Sequence, residues 1–362
     1  MKYLNLLLIF GIVAIVAELL GWSPLVVFIT SCLAMIPLAG LMGEATEALA
    51  IHTGPRLGGL LNATLGNAAE LIITIMAVRE GISNPAINRQ MLELVRASLT
   101  GSIMGNILLV LGLSILVGGL RHGIQKFSPS QAGLNSTMLV LAVAALIIPS
   151  IFSHSIETVN HDAVEYLSLG VAGVMIGLYA LALIFQFRDP SARTYKGDEG
   201  GTNKQEVPHW SAVKAGIVLL VATLAIVAMS ELLVGSVEHV VRQVGLNEFF
   251  LGIIIVPIIG NVAEHLVAVQ ASAKNKMELS LAISVGSSLQ VALFVAPLLV
   301  FISLLMGNPL TLVFNQFELI ALMAAVLIAG LVSLDGESNW LEGAMLLAIY
   351  AIIALAFFWL PM

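Results

Sequence analysis

Charged residues are scarce in this chain: Asp, Glu, Lys and Arg make up 10% of its 362 residues, against roughly 25% in an ordinary soluble domain. Hydrophobic residues make up 59%, and the mean hydropathy is +1.02. This composition excludes a soluble globular protein and indicates an integral membrane protein in a lipid bilayer. The few basic residues form no tract of the kind that binds nucleic acid, so nucleic acid is not expected as a partner.

Cysteine is almost absent, since Cys32 is the one cysteine of the chain. An intrachain disulfide and a cysteine-rich metal site are therefore excluded. Cys32 lies in an apolar run, where a small buried side chain is the simplest interpretation. Nitrogen and sulfur ligands are also scarce near the polar motifs described below, which argues against a dedicated copper or zinc site. No cofactor is expected.

Long apolar runs dominate the chain. A spanning helix needs about 20 mostly apolar residues, because the hydrocarbon interior offers no water to the backbone polar groups. The run that follows Lys2 lacks a convincing small-residue cleavage site, so we interpret it as a retained helix and not as a secretory signal. The predicted fold class is an all-α membrane protein with eleven transmembrane helices at 3–20, 23–43, 57–78, 92–118, 132–150, 163–187, 210–235, 246–270, 278–306, 316–334 and 340–360.

The distribution of basic residues predicts the orientation, since Lys and Arg accumulate on the cytoplasmic side of membrane proteins. With a cytoplasmic N-terminus, 11 of the 15 basic residues face the cytoplasm. Eleven spans then place the C-terminus outside. The short N-terminus favours a prokaryotic plasma membrane over a vacuole.

The polar stretch at 188–209, "RDPSARTYKGDEGGTNKQEVPH", is predicted to be a cytoplasmic linker because it is rich in Gly, Pro and charge. It separates two sets of five spans, and since five is odd the second set enters the membrane in the opposite sense. The chain is thus divided into a leading helix (1–21), a first repeat (22–187), the linker, and a second repeat (210–362). Inverted repeats of this kind are a recurrent plan of secondary transporters.

A polar motif supports this duplication. The runs "LLNATLGNAAELII" at 60–73 and "PIIGNVAEHLVAV" at 257–269 share Gly-Asn-Xaa-Ala-Glu at an offset of 194 residues. On the next helix of each set, Gly101 and Ser102 match Gly286 and Ser287 at an offset of 185. The offset changes because the connection at 79–96 is longer than its counterpart.

The duplicated motif predicts an oxygen-lined cation site. On a continuous helix Gly66, Asn67 and Glu70 share one face, as do Gly260, Asn261 and Glu264. Glycine carbonyls, amides and carboxylates suit Ca²⁺, which takes roughly 6 to 8 oxygen ligands. For the hydroxyl and amide residues of the next helices, interhelical hydrogen bonding without a cation contact is the alternative. The candidate ligands are Gly66, Asn67, Glu70, Ser102, Asn106, Gly260, Asn261, Glu264, Ser287 and Gln290.

Two carboxylates in one poorly solvated site also suggest proton coupling. They repel each other, and desolvation disfavours their charged forms, so the empty site is expected to hold protons near neutral pH. A divalent cation displaces those protons by neutralising both charges. Competition for one site, combined with alternating access, makes an exchanger.

Other polar residues lie near this core. Glu44 precedes Glu70 by 26 residues, as Glu238 precedes Glu264. With Glu47 and Glu231, they are interpreted as a cation-attracting mouth or gate, or as ordinary solvated helix ends. His265 has no counterpart in the first copy and is predicted to support the site without ligating the cation. Glu18, Glu318 and Glu342 are left without a role.

Four stretches are distinctive: "GGLLNATLGNAAELI" at 58–72, "SLTGSIMGNILLVLG" at 98–112, the long second motif at 260–297 and "SNWLEG" at 338–343. They closely resemble the Ca²⁺/H⁺ antiporter family of the Ca²⁺/cation antiporter superfamily. The resemblance covers nearly the whole chain. It implies eleven helices, one leading helix followed by two inverted sets of five, with Ca²⁺ and protons exchanged on Glu70 and Glu264. Two features depart from the family: the connection at 79–96 is longer, and the central linker is less acidic.

The predicted function is a secondary active antiporter that exports cytosolic Ca²⁺ in exchange for protons, with the second and seventh helices as the moving gate. It is not expected to be an enzyme, and homo-oligomerisation is left open. The alternatives are Na⁺-coupled exchange or a broader divalent specificity (Mn²⁺, Cd²⁺), a cation channel, and an intramembrane hydrolase that uses Glu264 and His265. The hydrolase is disfavoured because no nucleophile accompanies these residues.

Overall fold

The computed structural model describes residues 4–157, 161–188 and 210–360, in which the chain is almost entirely helical. Apart from Arg188, the predicted linker lies outside these residues. The α-helices are α1 (Ile9–Leu19), α2 (Pro24–Leu65), α3 (Ala68–Ser83), α4 (Asn88–Met104), α5 (Leu111–His122), α6 (Pro129–Glu157), α7 (His161–Arg188), α8 (Ala212–Val244), α9 (Glu248–Phe250), α10 (Val256–Ala273), α11 (Met277–Gln290), α12 (Ala296–Leu305), α13 (Gln316–Val332) and α14 (Trp340–Phe358).

Shorter elements link these helices. Two 3-10 turns precede α1 and α4, at Leu4–Leu8 and Pro85–Ile87. Three π-helical segments, Gly105–Val110, Leu251–Ile255 and Val291–Val295, join α4 to α5, α9 to α10, and α11 to α12. One small antiparallel ladder pairs β1 (Gln125–Lys126) with β2 (Glu337–Ser338). The π segments widen the helix locally without ending it, so α4–α5 and α11–α12 are continuous spans.

The described residues include seven helices that are long and apolar enough to cross a bilayer. The pair Glu248–Val262 and Glu264–Ala273 is bent by 69° and makes an eighth if the two halves are counted as one span. Asn5–Leu19 and Gln316–Val332 are apolar but shorter. Each predicted transmembrane run falls on helix. The prediction of a helical membrane protein is therefore confirmed, while the count of eleven spans stays a prediction.

Burial separates central helices from peripheral ones. In the span Pro85–His122, 72% of the most apolar stretch is buried within the protein, whereas in Ala163–Phe185 the share is 17%. Peripheral helices expose large apolar side chains, such as Val213, Leu220 and Leu224 on α8, which suits contact with lipid. Close packing in the centre depends on small residues: a Cβ added to Gly101 would lie 2.5 Å from Ile253 Cα.

The predicted runs 23–43 and 57–78 fall on two helical segments that are separated at Gly54, and the first segment continues about ten residues beyond its predicted end. Helix α2 continues to Leu65 with a sharp break at Gly54 (φ 83°, ψ 173°). This backbone conformation is essentially restricted to glycine, and the following Pro55 further disfavours a helical conformation there. The 57–78 run is then interrupted a second time, at Gly66 and Asn67, because α3 begins only at Ala68.

The long connection predicted at 79–96 is also mostly helical. Helix α3 extends to Ser83, a 3-10 turn follows at Pro85–Ile87, and α4 begins at Asn88. The salt bridge between Arg89 and Glu93, at 2.9 Å, lies one turn apart on α4 and supports this early start. The charged residues of this stretch thus belong to helix ends and not to a loop.

Replacement of Gly54 tests the break. A Cβ would meet no atom within 4 Å at Gly54 or at Gly43, which is in regular helix on the same α2. We expect Gly54→Ala to lower the free energy of unfolding by about 1–3 kcal/mol because its backbone conformation is strained for alanine. Gly43→Ala should raise it by about 0.5–1 kcal/mol. Thermal unfolding in detergent measures both, and equal effects would contradict the break.

Candidate functional site

The two glutamates of the duplicated motif each begin a half-helix. Glu70 lies in the first turn of α3, directly after the break at Gly66 and Asn67. Glu264 begins the second half of the bent pair in α10. The prediction that Gly66, Asn67 and Glu70 share one face of a continuous helix is therefore wrong for the first copy. Asn67, with φ −100° and ψ 21°, precedes α3 as its N-cap residue.

The Asn67 side chain does not cap its helix, although asparagine is a favoured capping residue. Its amide nitrogen instead donates to Gln290 Oε1 at 2.9 Å, and its oxygen accepts from the Ser287 hydroxyl at 3.0 Å. Both partners lie on α11, in the other half of the chain. The break in the helix thus turns Asn67 towards the second copy of the motif.

The two copies face each other. A Cβ added to Gly66 would lie 3.4 Å from Glu264 Oε1, and one added to Gly260 would lie 3.9 Å from Glu70 Cβ. Each glycine therefore lies against the glutamate of the other copy. The polar contacts are reciprocal as well, since Asn67 bonds with Ser287 while Asn261 donates to the Ser102 hydroxyl at 3.2 Å.

The environments of the two glutamates differ. The Ser287 hydroxyl lies 2.7 Å from Glu264 Oε2 and can donate its one proton to that oxygen or to Asn67. Glu70 is 1% exposed, and among the described residues neither of its carboxyl oxygens has a hydrogen-bond partner. Ser102 and Asn261 lie beside it. A charged carboxylate that is buried away from water is very costly, so a proton or a bound cation is expected to stabilise Glu70.

Asn106 lies about one helical turn beyond Ser102, in the π segment that follows α4. Asn106 is 1% exposed, and its side-chain nitrogen has no partner in the described part of the chain. The described residues contain no cluster of three His, Cys, Asp or Glu side chains that could hold a metal ion. A cation here would therefore depend on two carboxylates and on neutral oxygens. The structure brings together Gly66, Asn67, Glu70, Ser102, Gly260, Asn261, Glu264, Ser287 and Gln290.

The outlying residues fall in more ordinary surroundings. His265 is half-buried beside Glu264 and makes no hydrogen bond within the described ranges. On α2, Glu44 is half-buried and Glu47 is exposed.

Two of the predicted mouth residues have basic partners. Glu231 contacts Arg79 at 3.6 Å, and Glu238 contacts Arg242 at 2.6 Å. These arginines offset the negative charge that a cation-attracting mouth requires.

Sequence reasoning missed a buried polar cluster at the start of α13. Glu318 is 1% exposed; its carboxylate accepts from the Asn315 backbone at 3.0 Å and from the Thr100 hydroxyl at 3.3 Å. Arg96 lies within electrostatic reach. The sequence "NQFE" before an apolar run is a capping-box pattern, and it could have located Glu318.

These features define a helical membrane protein whose buried core holds two carboxylates from a duplicated motif. The chain belongs to the family described as "Sodium/calcium exchanger protein", whose profile matches residues 23–188 and 214–359.

Among its relatives, a "Ca(2+)/H(+) antiporter" of Synechocystis sp. is 44% identical over 99% of this chain and 98% of its own length. The "Ca(2+)/H(+) antiporter ChaA" of Bacillus subtilis is 44% identical over 95% of both chains.

Solved structures agree with this assignment. Native YfkE superimposes with a TM-score of 0.84 and 41% identity, covering 99% of this chain and all of YfkE. The H⁺/Ca²⁺ exchanger CAX superimposes with a TM-score of 0.74 at 16% identity, covering 99% of this chain and 91% of its own. The second comparison supports the fold alone.

Replacement of Ser287 tests the hydrogen-bond network. Ser287→Ala removes the hydroxyl that lies within hydrogen-bond distance of both Glu264 Oε2 and the Asn67 oxygen and can donate its one proton to either. A buried acceptor left without a donor costs about 1–3 kcal/mol. The neighbouring Ser288→Ala removes bonds to backbone carbonyls only. We expect Ser287→Ala to lower the thermal unfolding temperature in detergent clearly more than Ser288→Ala. Equal effects would show that Ser287 does not hold the two motifs.

Proposed function

We propose that this protein is a secondary active antiporter that exports cytosolic Ca²⁺ in exchange for protons, with both ions bound in turn by Glu70 and Glu264. Exchange of Ca²⁺ for protons rests on 44% identity, over nearly the full length, with two Ca(2+)/H(+) antiporters. The single observation that carries the site is the meeting of the two glutamates of the duplicated motif, with Glu70 buried and Glu264 half-buried between the two copies.

The proposed topology has eleven spans, with a leading helix, two inverted five-helix repeats and a cytoplasmic linker at 188–209. The two stretches that match the family profile, 23–188 and 214–359, nearly coincide with the proposed repeats at 22–187 and 210–362. The reciprocal contacts between the motifs are what a twofold relation between repeats produces. A cytoplasmic N-terminus follows from the loop charges.

Ca²⁺ suits the donors that meet in the core. Two carboxylates supply the charge, while the amides of Asn67 and Asn261 and the hydroxyls of Ser102 and Ser287 supply neutral oxygens. Gln290 holds Asn67 in place, and Gly66 and Gly260 keep the space free of side chains. Ca²⁺ accepts irregular oxygen coordination of this kind at about 2.3–2.6 Å. Asn106 and His265 would support the site from its edge.

Proton coupling follows from the poorly solvated positions of the two glutamates, of which Glu70 is buried and Glu264 is half-buried. A carboxylate that is buried away from water is stable when protonated or when paired with a cation. Ca²⁺ entering from the cytoplasm therefore releases protons, and protons entering from the outside release Ca²⁺. Helices α2 and α8 are the proposed moving gate, because they pack along each other and flank the motif helices. Glu44 and Glu47 would then line its cytoplasmic mouth, whereas Glu231 and Glu238 are paired with arginines.

Charge removal at the two glutamates tests the mechanism. In vesicles with an imposed pH gradient, Glu70→Gln and Glu264→Gln should each reduce proton-driven Ca²⁺ uptake to the level of empty vesicles, because neither glutamine can exchange a proton for Ca²⁺. Glu80→Gln on the same helix α3 is the matched control and should keep full uptake. Full uptake by either site variant would overturn the mechanism.

The same vesicles separate the alternatives. Uptake that requires a Na⁺ gradient and survives a proton uncoupler would establish Na⁺ coupling. Flux much faster than a carrier cycle, without proton countermovement, would establish a channel. Competition by Mn²⁺ or Cd²⁺ would measure the breadth of the divalent specificity.

Acidification should weaken Ca²⁺ binding from the side that is acidified. Protons and Ca²⁺ compete for the same carboxylates, so the KM for Ca²⁺ should rise as pH falls, by about tenfold per pH unit for each proton displaced. Initial uptake rates at fixed membrane potential measure this slope. The Glu80→Gln control should show the same slope as the parent protein. A KM that is independent of pH would mean that protons bind elsewhere.

A further inference from the structure

Each motif helix is held at its far end by an amide side chain of the opposite repeat. The backbone carbonyls involved belong to Val78 on α3 and Ser272 on α10. Each lies eight residues beyond its glutamate, Glu70 or Glu264, which is about 12 Å along a helix. The glutamate thus occupies one end of a half-helix, and the amide contact holds the other end.

The first contact, named the outer clasp, joins Asn308, Asn88 and Val78. Asn308 lies in the connection between α12 and α13, and its Nδ2 donates to Val78 O at 3.2 Å and to Asn88 Oδ1 at 2.7 Å. Asn88 Nδ2 donates back to Asn308 Oδ1 at 3.0 Å. A Cβ added to Gly81 would lie 3.3 Å from Asn88 Cα and closer still to its side chain, so Gly81 makes room for this clasp.

The second contact, named the inner clasp, joins Gln125, Asn275 and Ser272. Gln125 lies in the connection between α5 and α6, and its Nε2 donates to Ser272 O and to Asn275 Oδ1, both at 3.0 Å. The Ser272 hydroxyl lies 2.8 Å from Gln125 Oε1 and 2.6 Å from Ser114 O. Gly118 makes room here, because a Cβ would collide with the Gln125 and Ser272 side chains.

The two clasps are equivalent by the internal repeat. Val78 and Ser272 are separated by 194 residues, the same offset that relates Glu70 to Glu264. The connections that supply Asn308 and Gln125 occupy matching places in the two repeats. In the proposed topology the outer clasp faces the outside and the inner clasp faces the cytoplasm.

We propose that Asn308 and Gln125 are positioning residues, which fix the two glutamate-bearing half-helices to the opposite repeat throughout the transport cycle. This inference rests on the proposed function. Both clasps are closed in the same conformation, whereas a pair of alternating gates would leave one of them open. Both amides are buried, at 1% exposure for Gln125 and 7% for Asn308. Breaking either clasp would therefore leave buried polar groups without hydrogen-bond partners.

The contact between α3 and α8 differs from the clasps because it is exposed to solvent. Arg79 on α3 contacts Glu231 on α8 at 3.6 Å, with both side chains more than half exposed. A solvated ion pair of this kind contributes little to stability and can break and reform as helices slide. The clasps therefore belong to a set of helices that stays fixed, which includes α3 and α10 and is called the frame. Helix α8, with its partner α2, is free to move against this frame.

Cross-linking distinguishes a frame from a gate. In a Cys32→Ala parent, one variant carries Asn88→Cys with Asn308→Cys, a second carries Gln125→Cys with Asn275→Cys, and a third carries Arg79→Cys with Glu231→Cys. Ca²⁺ uptake into vesicles is measured before and after treatment with a short bifunctional thiol reagent. Reduced clasp variants should show a KM for Ca²⁺ raised by about tenfold, and cross-linking should return it towards the parent value.

Cross-linking of the third variant should stop uptake, because it ties α8 to the frame. Loss of uptake on cross-linking either clasp, or a parent-like KM in both reduced clasp variants, would overturn the inference. Gln125→Met and Asn308→Leu, which nearly keep side-chain volume but remove the amides, provide an independent measurement and should also raise KM by about tenfold. Absence of proton-driven uptake in the parent would instead contradict the proposed function.

Discussion

Two carboxylates that meet inside a membrane protein, one buried and one half-buried, impose the constraint on which the rest of the structure depends. An ionised side chain inside the bilayer is costly unless it is paired, solvated or neutralised. Glu264 has one donor, the Ser287 hydroxyl, while Glu70 has none among the described residues. The surrounding amides and hydroxyls bond largely to one another, so they support the carboxylates without neutralising them. In the proposed mechanism, the charge of the site is therefore balanced by ions.

The helix interruptions follow from this constraint. A continuous helix satisfies its backbone internally and presents only side chains to a neighbour. The break before α3 places Glu70 in a first helical turn, where the helix dipole favours a negative charge, and it directs Asn67 across the interface. The bend in α10 places Glu264 in a corresponding position. Interrupted helices at the meeting point of two repeats are a recurrent feature of secondary transporters.

The sequence predicted the membrane class, the position of the helical runs and the meeting of the two motifs, because hydropathy and an exact internal offset are strong signals. It did not predict the break at Gly66 and Asn67, since both residues lie inside an apolar run. The clasps were equally invisible, because Gln125 and Asn308 lie in polar connections, where such residues are common. Their partners are 147 and 230 residues away in the chain, and only the fold brings them together.

Charge balance explains why exchange in such a site is obligatory. In the proposed mechanism, an empty site carries two negative charges in a buried core, and moving it between the two sides of the membrane exposes that charge to a poorly polar interior. One Ca²⁺ or two protons neutralise it equally. A single monovalent cation would leave one charge uncompensated. The neutral loaded states therefore reorient most readily, and a fixed frame that holds both glutamates in place keeps the site suited to either load.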